Sequence, residues 1–148
     1  MELVLLKIKH LMSSANIYFA KADIVTLEEK PATDKWSKKE ILGHLIDSAI
    51  HNIQRFTEIQ DSEKPYQVCG YDPDQLVIAN HYQKKDLAEL FELWVHLNRH
   101  IKFIIRNLPD TALDHALLLP TGESKNLKFL INDYADHLEH HLDQIYRT

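Results

Sequence analysis

Histidine is the residue type on which any chemistry of this chain must turn, with ten in 148 residues against a single cysteine, Cys69. One cysteine excludes a disulfide framework and every thiolate-rich zinc site, but leaves imidazole and carboxylate chemistry open. Any ion held here is therefore held mainly by nitrogen and oxygen. His137 and His141 are four residues apart, so on a helix both imidazoles can point at one ion. A third imidazole from a facing helix would complete three nitrogen ligands and leave one or more positions open, and His44 meets that description. His44, Ser48, His51 and Arg55 share a narrow stripe at the edge of an apolar arc centred near Leu45, Ala49 and Phe56. His137, His141 and Gln144 line the matching edge of a second arc, beside Tyr134. A lone histidine at such a border is more often a hydrogen-bonded packing residue, so spacing by itself leaves both readings open.

The remaining chemistry-bearing residues are weaker candidates. His96 and His100 are also four apart, yet they project away from the stripe of Leu87, Trp94 and Ile101 and read as solvated surface. His10 and His140 fall off the apolar arcs, and His81 and His115 lie in connections. Asp47 and Asp133 sit within one turn of the proposed ligands and could accept the second imidazole N–H, fixing the tautomer; the alternative is two solvated carboxylates. Ser48 is better read as a small residue on a bundle seam than as a nucleophile, and Cys69 as an inert thiol. Gly43, inside a helix, costs about 0.5–1 kcal/mol relative to Ala, so it marks either close packing beside His44 or tolerated drift. No glycine-rich phosphate loop or nucleophile elbow is present.

The elements that must position these residues are helices. Three glycines are too few for an all-β fold of many tight turns, and five prolines divide the chain into helix-sized runs. In the first run Met1, Val4, Ile8, Leu11, Ala15, Tyr18, Ala22 and Val25 recur at steps of three and four. The second run opens at Ser37 with Glu40 three residues on, a capping box with Trp36 as a possible staple before it, and should reach about Asp61. Leu87, Leu90, Phe91, Trp94, Ile101, Ile105 and Leu108 mark the third run; Leu127, Leu130, Ile131, Tyr134, Leu138, Leu142 and Ile145 mark the fourth. The expectation is an all-α four-helix bundle over residues 1–148 as one domain, with a long connection, residues 62–82, between the second and third helices. A short helix from Pro73 to Ala79, capped by Asp72, is expected inside that connection, which has the length of a functional cover.

A net charge of −5 and a pI near 6.0 disfavour a nucleic-acid partner, which would need a basic face. The apolar stretch Leu3 to Leu6 is far short of a signal segment or membrane span, so a cytoplasmic protein without a membrane partner is expected. At 148 residues the chain can bury a core without the help of a metal or disulfide.

Two stretches carry a family likeness. The run Lys35-Trp36-Ser37-Lys38-Lys39-Glu40-Ile41-Leu42-Gly43-His44-Leu45-Ile46-Asp47-Ser48-Ala49, followed by Asp133-Tyr134-Ala135-Asp136-His137-Leu138-Glu139-His140-His141-Leu142-Asp143-Gln144-Ile145, resembles the DinB-like superfamily. The resemblance implies a four-helix bundle of up-down-down-up connectivity, often a homodimer, with a metal on His44, His137 and His141. It also implies kinship with S-transferases that use bacillithiol, mycothiol or glutathione. The expected cofactor is a divalent transition metal, Zn or Ni, with a low-molecular-weight thiol as co-substrate. The expected reaction is thiol transfer to a small electrophile, with Arg55 and His51 as candidates for orienting an anionic substrate. Metal-dependent hydrolysis, and a bundle that binds metal or small ligands without turnover, are the alternatives.

Overall fold

The computed structural model describes residues 1–147 and consists of six helices with three very short strands. In chain order these are α1 (Glu2–Phe19), α2 (Ile24–Glu28), α3 (Lys38–Glu58), β1 (Tyr66–Gln67), α4 (Pro73–Ala79), α5 (Leu87–Asn107), β2 (Ala116–Leu118), β3 (Ser124–Asn126) and α6 (Leu127–Tyr146). The four long helices form the bundle. α3 packs against α5 and α6, and α1 closes the opposite side against the same two helices.

Named contacts give the helix directions. Lys7 reaches Asp136 and Glu139 while Tyr18 donates to the Ile145 carbonyl, so α1 and α6 run parallel. Phe19 packs on Phe91 while Met1 and Leu5 lie beside Ile105 and Leu108, so α1 and α5 are antiparallel. Ser48 faces His137 whereas Ile41, seven residues earlier, shares a cavity with Gln144, so α3 and α6 are also antiparallel. The connectivity is up-down-down-up. Because α3 and α5 then point the same way, the chain must return the length of the bundle between them, which is why that connection is long.

The apolar stripes expected from the sequence form the core. Trp94, Phe56, Ile8, Leu42, Leu45, Ile101, Ile131, Leu138 and Leu142 are all at most 1% exposed, and each such side chain contributes about 1.5–3 kcal/mol. One polar pair crosses this core: Tyr134 donates to the Asn98 Oδ1 at 2.7 Å, and the Asn98 amide donates to the Trp94 carbonyl at 2.9 Å.

α3 begins as its capping box predicts. The Glu40 N–H donates to Ser37 Oγ at 3.1 Å, and the Ser37 N–H donates to Glu40 Oε2 at 2.8 Å. The helix ends at Glu58 and a single 3-10 turn carries it to Asp61. α4 matches its expected bounds, with Asp72 accepting from the N–H groups of Asp74 and Gln75.

One expectation is corrected. The first helix does not run to Val25: it stops at Phe19, and Asp23 caps a separate helix by accepting from the Thr26 N–H at 3.2 Å. An aspartate side chain that can satisfy the backbone in an extended conformation competes with helix continuation. The break rotates the chain so that Leu27 is buried and Val25 is 72% exposed. The bundle is accompanied by a minor sheet in which β2 pairs antiparallel with β3 and parallel with β1. Strands of two or three residues cannot show an alternation, and their turn rests on Gly122 at φ 84°. The sheet fastens the long connection to the hairpin before α6.

The reason for Gly43 is steric. A Cβ at this position would lie 2.8 Å from Tyr82 Cε2 and closer still to two other ring carbons. Tyr82, from the long connection, is buried against the α3 backbone and donates to Asp47 Oδ1 at 2.6 Å. Close packing, rather than drift, explains the glycine. Among the described residues no helix is long and apolar enough to cross a membrane.

Candidate metal centre

The antiparallel pairing of α3 and α6 brings together one residue of α3 and two of α6. His44, His137 and His141 each offer a ring nitrogen, and these atoms all lie within 4.8 Å of one another. His44 Nε2 and His137 Nε2 are 3.0 Å apart. That separation suits a shared proton, or two bonds of about 2.0–2.1 Å to one ion. His141 completes the triangle, its ring centroid 4.6 Å from that of His44 and 4.5 Å from that of His137.

The surroundings keep all three rings neutral. Burial, followed by the proximity of His141 and His137, lowers His44 from its ordinary value to about 3. His137 falls to about 4, mainly through burial and then through His141 and His140. Burial also lowers His141, against the opposing effect of its hydrogen bond to Gln144. Neutral imidazoles present lone pairs, which is the form a metal needs.

Partners on the far nitrogens orient two of the rings. An amide oxygen only accepts, so His141 Nδ1 donates to Gln144 Oε1 at 2.8 Å and leaves Nε2 unprotonated. The Gln144 amide nitrogen lies 3.2 Å from His140 Nε2, and this second contact fixes the amide. His137 Nδ1 lies 3.4 Å from Ser48 Oγ. His44 Nδ1 is buried without a hydrogen-bond partner, and the Trp36 ring packs over His44 at 5.0 Å. Three neutral nitrogen donors at these separations, with two far nitrogens already engaged, fit a divalent transition metal.

Of the two carboxylates read either as orienters or as solvated groups, neither is hydrogen-bonded to an imidazole among the described residues. Asp47 is buried, but its Oδ1 accepts from Tyr82 and Asn80, at 2.6 Å and 2.9 Å, rather than from an imidazole. Burial raises its pKa. Asp133 is exposed and, among the described residues, has no hydrogen bond to a histidine. His137 Nδ1 faces Ser48 across the seam between α3 and α6, and His141 Nδ1 meets Gln144 of its own helix. As a small seam residue Ser48 carries no distinctive signal in the sequence, whereas Gln144 stands on the same edge of its arc as His137 and His141.

His51 and Arg55 lie farther along α3, against the long connection. His51 stacks on Tyr71 at 4.1 Å and its Nδ1 donates to the Asp47 carbonyl at 2.8 Å. Arg55 donates to the Cys69 carbonyl at 2.7 Å and lies 5.7 Å from the Tyr71 ring centroid. Among the described residues neither is hydrogen-bonded to the three imidazoles. Cys69 is exposed. His96, His100, His10 and His81 are exposed as expected.

The sequence profile of the DinB superfamily matches residues 14–145, almost the whole chain. The chain belongs to the DinB superfamily. By sequence, no curated protein matches it. Among solved structures, this DinB-superfamily chain is similar to YfiT from Bacillus subtilis, described as a probable metal-dependent hydrolase with an unusual four-helix bundle topology. The TM-score is 0.85 at 19% identity, over 97% of this chain and 82% of YfiT. It is also similar to a mycothiol-dependent maleylpyruvate isomerase, with a TM-score of 0.79 at 14% identity, over 99% of this chain and 61% of the isomerase. The chain thus spans about three-fifths of that enzyme's length. At these identities the likeness is one of fold.

Proposed function

We propose that this DinB-superfamily protein is a divalent-metal-dependent enzyme, with Zn or Ni on His44, His137 and His141, that transfers a low-molecular-weight thiol to a small electrophile. The observation that carries this reading is the cluster of three neutral imidazoles whose donor atoms lie within 4.8 Å of one another. A divalent ion held by three neutral ligands keeps its charge and acidifies a thiol or water beside it.

The chain's own residues have separate tasks. Gln144 and Ser48 hold the far nitrogens of His141 and His137, so that each ring presents the other nitrogen. Trp36 covers one face of His44 and limits water there. Arg55 spends one donor on the Cys69 carbonyl and retains others for an anionic substrate, with His51 one turn away. In the transfer the S–C bond forms as the bond from carbon to the leaving group breaks; the leaving group takes the electron pair and the thiol proton passes to solvent.

Hydrolysis is the second reading, supported by the fold likeness to a probable metal-dependent hydrolase over 97% of this chain. The test loads the protein with Zn²⁺ or Ni²⁺ and offers bacillithiol, mycothiol or glutathione together with alkyl halides and epoxides. Esters, amides and lactones are assayed in parallel. The expected result is a thiol conjugate detected by mass spectrometry and lost in His141→Ala. Ester or lactone cleavage without conjugation would favour the hydrolase, and metal binding without either would leave a non-catalytic bundle.

A further inference from the structure

A cavity of about 490 Å³ opens beside the histidine cluster, between the start of α3 and the end of α6. Its volume falls within the range of about 300–1,000 Å³ usual for small-molecule sites. Trp36 and Ile41 supply its apolar wall, Lys38 and Arg147 two cations, and Glu29 one carboxylate. Gln144 also lines it. Two contacts tie the cavity to the cluster: the Trp36 ring lies 5.0 Å from that of His44, and Gln144 is the amide that accepts from His141. A larger cavity of about 630 Å³, near Tyr18 and Tyr146, contains neither Trp36 nor Gln144.

The two cations stand out from their neighbours. Lys39 is committed to Glu28 and the Gln83 carbonyl, and Lys30 to Glu40. Among the described residues Lys38 and Arg147 form no ion pair, and Lys38 donates only to the Tyr18 hydroxyl at 3.2 Å. A chain of net charge −5 thus places two cations, neither paired with a carboxylate among the described residues, on one concave surface next to an indole. A guanidinium and an ammonium together recognise a carboxylate, and an indole face recognises a planar amide or apolar stem.

We propose that this cavity binds the carboxylate end of the thiol co-substrate. Lys38 and Arg147 hold the carboxylate and Trp36 supports the stem, which carries the sulfur toward the three histidines. Lys38 precedes His44 on α3 by six residues, about 9 Å of helix rise, and a tripeptide-sized thiol is about 10 Å long when extended. The inference rests on the reading that the histidine cluster handles a thiol. It adds that the protein selects anionic thiols over neutral ones.

The test titrates zinc-loaded protein with glutathione, with S-methylglutathione and with the dimethyl ester of S-methylglutathione, following Trp36 fluorescence. Trp36→Phe identifies the part of the signal that belongs to the cavity. Glutathione and S-methylglutathione should saturate, and the ester should bind at least 5-fold more weakly. Lys38→Gln and Arg147→Gln should each weaken both acids about 5-fold without affecting the ester. Glu29→Gln should strengthen the acids 2- to 5-fold, a gain that misfolding cannot imitate. The proposal is overturned if no acid gives a saturable change up to 10 mM, or if the charge variants bind as the wild type does. S-methylglutathione separates this failure from that of the transferase reading. It has no thiol proton to lose, so if it binds while no free thiol changes the spectrum of the cobalt-substituted site, the cavity stands and thiol transfer does not.

Discussion

Gly43→Ala tests whether packing of the long connection onto α3 explains the glycine next to a candidate ligand. In an exposed helix the change would stabilise by about 0.5–1 kcal/mol through helix propensity. Here the new methyl would overlap the buried Tyr82 ring, with Cε2 only 2.8 Å away and two other ring carbons nearer. Overpacking of this kind costs about 1–3 kcal/mol. The ring cannot leave freely, because its hydroxyl donates to Asp47 Oδ1 and the Asp47 carboxylate is buried. Losing that donor would cost a further 1–3 kcal/mol, roughly. Overpacking and the lost donor less the propensity gain give a net destabilisation of about 1–5 kcal/mol, or a drop in Tm of roughly 3–15 °C for a protein this size. Urea and thermal unfolding of the metal-free protein measure it. The sign should reverse in a Tyr82→Ala background, where Gly43→Ala should stabilise by about 0.5–1 kcal/mol. Equal or greater stability of Gly43→Ala in the wild-type background would refute the packing argument.

Protein purified without chelator should retain about one transition metal per chain by elemental mass spectrometry, with most affinity lost in His141→Ala and none in His96→Ala; equal effects of the two changes would mean the wrong histidines were chosen. Gln144→Ala should weaken metal binding about 10- to 100-fold while Asp47→Asn leaves it nearly unchanged, because of these two only Gln144 is hydrogen-bonded to a ligand ring; isothermal titration decides between them. Chelation should leave the far-ultraviolet circular dichroism and the cooperative thermal transition in place, since the core does not include the ion. The metal-free protein should lose stability as the pH falls below about 6.5. The three rings are depressed in the folded state, His44 to about 3 and His137 to about 4, so between those values and 6.5 the unfolded chain binds protons that the folded chain does not. His44 and His137 each add at most about 1.4 kcal/mol per pH unit across that window and nothing above it. Urea unfolding from pH 7.5 to 4.5 should therefore show a smaller slope in His44→Phe than in the wild type; identical slopes would show that His44 is not held neutral.

The sequence was sufficient wherever a single helix carried the information. Apolar residues at steps of three and four located the four long helices, and Ser37 with Glu40 fixed where α3 starts, because periodicity and caps are set by residues within a turn or two of each other. The same local geometry put His44 on one core border and His137 with His141 on another. That the two borders meet is a property of α3 and α6 running antiparallel, and no spacing within either helix encodes it. One of the two orienting partners depended on this pairing too, whereas Gln144 meets His141 within α6. Ser48 faces His137 across 89 positions, so its role was invisible on its own helix, and Asp47, a plausible orienter by spacing, was taken by Tyr82 from 35 residues away. The cavity beside Trp36 has the same origin, since Lys38 and Arg147 are 109 positions apart and meet only because one bundle helix begins where another ends. Gly43 shows the division most directly: the sequence could say that a helical glycine is costly, but only the placement of the Tyr82 ring against the α3 backbone says why it is kept.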